Sequence, residues 1–201
     1  MAFEFNVCRL SDGREIKGLY EIFPKVFDDS RGYLYEAWTE RDFTDAGLKV
    51  KFVQENISKS CRGVLRGLHF QTRHVQGKLV CPLAGRVYDV AVDLRAGSAT
   101  FGRYYGVVLD AEMHNMFYIP QGFAHGFYVL SDEAIFTYKC TDFYDPKGEG
   151  GLMWNDPALG IDWKSIAPDI EPLLSEKDCK HPAFDPHAKY FDINGKWIGG
   201  E

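Results

Sequence analysis

Two histidines, two arginines and a lysine fall within GVLRGLHFQTRHVQGKLVCPLAG, residues 63 to 85. An imidazole can ligate a metal or take a proton near neutral pH, while guanidinium and ammonium groups hold anions and developing oxyanions. His69 and His74 are an odd number of residues apart, so a continuous strand directs them to opposite faces and they cannot chelate as a pair. Regular alternation along VLRGLHFQ sets Arg66 and Leu68 on one face and Leu65, Gly67 and His69 on the other. Gly63 and Gly67 are positions where a bulge would change that pattern. Burying His69, Arg66 and Lys78 close together is costly unless an acid or an anion compensates them. An anionic ligand is the economical reading.

The elements that must position these groups are strands. RGYLYEAW, KVKFVQENIS, GKLVCPLAG, RVYDVAVDL, RYYGVVLDAEMHNMFYIP and AIFTYKCTDFY are short runs rich in β-branched and aromatic residues, punctuated by LAG, RAGS and PQG. In VYDVAVDL, Val90, Val92 and Leu94 face one side and Asp89, Ala91 and Asp93 the other. Closely spaced strands without interleaved long helices predict a mainly β fold, an antiparallel sandwich or barrel with a few short peripheral helices. TERDFTDAG fits one such helix, capped by Thr39 and ended by Gly47. Asn194-Gly195, between strand-like runs near the C-terminus, is a hairpin signal.

A chain of 201 residues with 45% hydrophobic and 15% aromatic content builds one sizeable core, and the expectation is a single domain over residues 1–201. Net charge −6 disfavours non-specific nucleic-acid binding but leaves room for a small anion in a local cluster of arginines. Cys8, Cys61, Cys81, Cys140 and Cys179 are dispersed, with no C-x-x-C pair, as expected of reduced thiols. No apolar run approaches the roughly 20 residues of a membrane span, and the start lacks a signal-peptide pattern. A cytoplasmic location is expected.

Metal-binding barrels of the cupin type carry a pattern resembling G-x5-H-x-H-x3-4-E-x6-G, then G-x5-P-x-G-x2-H-x3-N. Gly63 and His69 fit its start, and Pro120, Gly122 and His125 in YIPQGFAHG fit its second half. Gln71 stands at the second-histidine position, however, and no glutamate follows at the expected spacing. His69 and His125 alone, beside the cationic Arg66 and Lys78, are too few ligands for a useful transition-metal site. The scaffold signature points to a jelly roll without a metal.

The segments FVQENISKSCRGVLRGLHFQ, QGKLVCPLAGRVYDVAVDLRAGSATFG, YIPQGFAHGFYVLSDEAIFTYKCTDFY and GLMWNDPALGIDW resemble the dTDP-4-dehydrorhamnose 3,5-epimerases, over most of the chain from about Glu21 to Asp178. The resemblance implies a metal-free, cofactor-free cupin-like barrel that works as a homodimer. It implies inversion of C3 and C5 of dTDP-4-dehydro-6-deoxy-glucose, giving dTDP-4-dehydro-L-rhamnose. Both carbons flank the C4 ketone, so a base can remove their protons to form an enolate, and an acid on the other face can return them. By position, His69 matches the family's general base, Asp178 the carboxylate paired with it, Tyr138 the opposing acid and Lys78 the cation beside the C4 oxygen. Arg66 matches a diphosphate-binding arginine, suited to bidentate contact. Gln54 and Asn56 match residues reaching the ligand from a neighbouring strand, and His125 a second pocket histidine with a positioning role. Arg31 and Glu36 resemble an R-G-x-F-x-E segment that enters the partner subunit's site, with Leu34 in the usual aromatic place.

Without the resemblance, Tyr138 would read as a packing residue and Asp178 as a solvated carboxylate. A mono-epimerase or a 3,4-ketoisomerase is the nearest rival. A non-catalytic sugar-nucleotide-binding module is disfavoured because it has no use for a base, its carboxylate partner and an opposing acid. Residues 180–201 lie outside the resemblance and are expected to form an edge hairpin or a subunit contact.

Overall fold

The structure is a computed structural model that describes residues 2–200. Its strands are β1 (Phe3–Arg9), β2 (Glu15–Pro24), β3 (Phe27–Asp29), β4 (Gly32–Leu34), β5 (Gln54–Cys61), β6 (Leu65–Gln71), β7 (Lys78–Ala84), β8 (Arg86–Asp93), β9 (Tyr104–Asp110), β10 (Met116–Ile119), β11 (Phe123–Val129), β12 (Glu133–Cys140) and β13 (Glu149–Gly151). Two short helices, α1 (Glu40–Asp45) and α2 (Trp163–Ile166), and a 3-10 turn at Asp178–Lys180 complete the inventory.

Two antiparallel sheets face each other. One has the order β1-β2-β10-β7-β12-β5 and the other β13-β6-β11-β8-β9, while β3 and β4 form a separate hairpin. From β5 to β13 the chain changes sheet at every step except β8 to β9, which is the winding of a jelly roll. The expected mainly β, cupin-like architecture is what the chain adopts.

Between the sheets, Val80, Phe117 and Phe136 pack against Val87, Ala91 and Phe127. The outer face of the second sheet is covered as well: Leu65, Leu68, Val90 and Val92 share a cluster with Trp163, Phe184, Tyr190 and Phe191. The alternation in β8 therefore separates two buried faces, and Asp89 and Asp93 are both inaccessible to solvent. Asp93 is compensated by Arg95, Ser98 and Thr100, which all donate to its carboxylate.

α1 starts where Thr39 Oγ1 accepts the Asp42 N–H, and the chain leaves it through Gly47 at φ +88°. The C-terminal tail turns at Gly195, with Asp192 N–H donating to Lys196 O, and Phe191 pairs with Trp197. This hairpin lies on the chain's own barrel, its aromatic rings against Phe70 of β6. Replacing the fully buried Phe191 by alanine is expected to cost about 3–5 kcal/mol, read as a lowered midpoint in denaturant unfolding.

Candidate active site

A bulge decides which groups on β6 meet. Leu65, Arg66 and His69 lie opposite Tyr128, Phe127 and His125 of β11, so three steps on β6 answer two on its neighbour. The surplus falls at Gly67, whose φ is +133° and where an added Cβ would sit 2.6 Å from Gly126 Cα. Only glycine fits a left-handed backbone packed that closely. The regular alternation of the sequence reading is thereby corrected: Arg66 and His69 share the face toward the opposite sheet, and Leu65, Leu68 and Phe70 go to the outer cluster.

His69 opens onto a cavity of about 300 Å³ between the two sheets. Lys78 of β7, Tyr138 of β12, and Gln54 and Asn56 of β5 reach it from the facing sheet, and Glu149 of β13 closes one side. Cross-strand register explains the grouping, since Tyr138 is opposite Asn56, and Cys140 is opposite both Gln54 and Lys78.

Asp178 arrives from far along the chain. Val64 bridges to Leu173, with Leu65 N–H donating to Leu173 O at 3.0 Å, and the following turn brings Asp178 behind His69. The His69 Nε2 to Asp178 Oδ1 distance is 2.5 Å. Burial pushes the Asp178 carboxyl up, but hydrogen bonds from His69 and Ser175, the His69 charge and the Gly67 N–H outweigh it and hold it at about 2. A carboxylate can only accept, so His69 donates through Nε2–H. Its Nδ1 is left with a free lone pair, the form a general base requires.

Lys78 Nζ stands 5.9 Å from the centre of the Tyr138 ring. Burial lowers the affinity of Lys78 for its proton, opposed by negative charge at Cys140, Asp89 and Glu149. Burial raises the Tyr138 phenol, which keeps it protonated and able to donate. His125 is buried across from His69, with Nε2 at 2.9 and 3.0 Å from the two Asp89 oxygens. Burial drives the Asp89 carboxyl up and the His125 imidazole down. This pair lies behind the site rather than on the cavity wall.

The remaining expected residues are spread more widely. Arg66 is exposed, its guanidinium 3.3 Å from Ser60 Oγ, on the interior-facing side of β6. Gln54 Nε2 donates to Asn56 Oδ1 at 3.1 Å, at the cavity floor. Arg31 and Glu36 lie on and beyond the exposed β3–β4 hairpin, away from this cavity, and Arg31 is paired with its own neighbour Asp29. Gln71, which replaces the second cupin histidine, lines the cavity and accepts from Asp145 N–H. His74 lies at the surface against Asp142.

Four neighbours of the site residues were not singled out from the sequence. Asp89 carried a usable signal, an acid on one face of an otherwise apolar strand. Ser175, Glu149 and His181 carried none, because irregular segments bring them in. Glu149 is ion-paired with Lys177 and accepts from Tyr144 OH. His181 packs edge-on to His69, its Nε2 3.8 Å from Asp178 Oδ1. In this corner His69, Asp178 and His181, rather than His69 and His125 alone, bring ligand atoms within 4.8 Å of one another.

A family model described as dTDP-4-dehydrorhamnose 3,5-epimerase matches residues 13–186, reaching beyond the Glu21–Asp178 stretch at both ends. The dTDP-4-dehydrorhamnose 3,5-epimerase of Methanothermobacter thermautotrophicus is 51% identical over 176 residues, 87% of this chain and 92% of the relative. That of Pseudomonas aeruginosa is 54% identical over 162 residues, 80% and 88% of the two chains. The crystal structure of dTDP-6-deoxy-D-glucose-3,5-epimerase from Legionella pneumophila, in complex with dTDP-4-keto-L-rhamnose, superposes with a TM-score of 0.81 at 45% identity, covering 90% of this chain and 93% of that one.

Proposed function

The chain belongs to the dTDP-4-dehydrorhamnose 3,5-epimerase family, and on that premise we propose how its residues invert C3 and C5 of dTDP-4-dehydro-6-deoxy-D-glucose. The observation that carries the proposal is the 2.5 Å His69–Asp178 contact in a cavity that Tyr138 and Lys78 enter from the opposite sheet. His69 Nδ1 removes the proton on a carbon next to the C4 ketone. The resulting imidazolium is stabilised by Asp178, which stays ionised throughout. Negative charge moves onto the C4 oxygen, where the Lys78 ammonium stabilises it. Tyr138 OH delivers a proton to the other face of the planar carbon; the imidazolium then loses its proton to solvent, the phenolate regains one from it, and the same cycle at the second carbon completes the inversion.

The nucleotide lies toward the cavity mouth in this reading. Arg66 holds the diphosphate, Gln54 and Asn56 bind the ligand from β5, and the His125–Asp89 pair supports His69 from behind. The protein works as a homodimer, the β3–β4 hairpin entering the partner's site with Arg31 and Glu36. Phe27, Tyr33 and Leu34 support this, being 57%, 58% and 73% exposed on that hairpin. The described chain acts as one domain, tail included, because Phe184, Tyr190 and Phe191 share a core cluster with Leu65 and Leu68. Five free cysteines fit a reducing, cytoplasmic setting, and no helix among the described residues is long and apolar enough to cross a membrane.

The test is product stereochemistry. Incubation with dTDP-4-keto-6-deoxy-glucose, followed by proton NMR of the trapped sugar, is expected to show both C3 and C5 inverted. Inversion at one carbon makes the protein a mono-epimerase, and movement of the ketone makes it a ketoisomerase. Tyr138→Phe separates the two halves of the reaction. It should slow inversion on the order of 10²- to 10³-fold while proton exchange on the His69 side continues, measured as deuterium uptake with retained configuration.

A further inference from the structure

We propose that His69, Asp178 and His181 form a site for a divalent transition-metal ion of the zinc type, and that filling it switches the base off. Two imidazoles and one carboxylate are donors that such an ion prefers. Their ligand atoms lie within 4.8 Å of one another. The second observation is at His181: its side chain is 10% exposed, and its Nε2 is buried without a hydrogen-bond partner among the described residues. Buried ring nitrogens are ordinarily satisfied, so an orphan 3.8 Å from a carboxylate oxygen is a donor set short of its acceptor.

The segment after Asp178 holds this ring in place. Met153 N–H donates to Pro182 O at 2.8 Å, and the bare Gly151 backbone lies against His181, where an added Cβ would come within 2.4 Å of the ring. Metal–ligand bonds of about 2.0–2.2 Å require modest shifts: the 2.5 Å His69–Asp178 contact opens, and the two histidine nitrogens close on the ion. Solvent from the cavity supplies the fourth ligand. Of the residues at the cupin ligand positions, only His69 belongs to this set. Nearby charge is balanced, since Lys177 is paired with Glu149.

The consequence follows from the imidazole. The ion replaces the proton on His69 Nε2, that proton moves to Nδ1, and no electrons are transferred. A ring protonated at Nδ1 and metallated at Nε2 has no lone pair for the substrate. Inhibition, though not binding, rests on the reading of His69 as the base.

Two measurements test this. Zinc chloride titrated calorimetrically into chelator-treated protein, without substrate, is expected to show one site per chain. His181→Phe, which keeps a ring against Gly151, should weaken it by roughly 10- to 100-fold or more, at least the loss expected for an outer-shell partner; His181→Gln serves if the first variant misfolds. In turnover assays zinc should inhibit the wild type, EDTA should reverse it, and the His181 variants should turn over and resist. No binding, equal affinity in the variants, or full activity with the site filled would each overturn the proposal. The calorimetric arm decides the site even if the chain proves inactive as an epimerase.

Discussion

An alanine in place of His69 is expected to lower kcat on the order of 10⁴-fold while leaving the affinity for dTDP unchanged. In the proposed mechanism the imidazole is the base in both half-reactions, so its loss removes the step on which each inversion depends. Binding should survive because the nucleotide contacts assigned here, Arg66, Gln54 and Asn56, do not involve this ring. Stability should fall only modestly, since 31% of the His69 side chain is exposed to the cavity and Asp178 keeps its hydrogen bonds from Ser175 and Gly67. Steady-state kinetics, calorimetry with dTDP and denaturant unfolding together check the prediction. A variant that fails to fold would identify His69 as a packing histidine instead.

Asp178→Asn is expected to cost nearly as much, about 10³- to 10⁴-fold in kcat with KM little changed. The carboxylate accepts from both His69 and Ser175, and its charge offsets the imidazolium formed when His69 takes a proton. An amide lacks that charge. Once its NH₂ donates toward Nε2, the ring proton moves to Nδ1, the atom to which the proposed mechanism gives proton abstraction. Geometry is preserved and the tautomer is wrong. The fall should appear in kcat with unaltered circular dichroism; an equal loss in folding stability would make Asp178 a structural anchor.

Much of this arrangement was legible in the sequence because it depends on local rules. Period-two alternation marked the strands, Thr39 and Gly47 bracketed α1, and Asn194-Gly195 marked the tail turn. What was not legible depends on contacts distant in sequence. The bulge at Gly67 reverses the face of Arg66 relative to His69, and nothing short of the β11 register shows it. Asp178 reads as a surface acid until the Leu173 bridge draws its turn behind β6. The tail resembles an edge hairpin in isolation, yet Tyr190 and Phe191 are buried because the outer face of the second sheet is apolar and needs a cover. His181 follows from that docking, and its meeting with the His69–Asp178 pair is a property of the assembled fold.

In the proposed reaction His69 removes protons from both carbons flanking the ketone. Solvent deuterium wash-in reads this directly: the protein is incubated with dTDP-4-keto-6-deoxy-glucose in D₂O and the label is located by NMR. Deuterium is expected at both C3 and C5 with the wild type, and at neither with His69→Ala. Inversion without solvent label, or label at the wild-type rate in the alanine variant, would rule out His69 as the base.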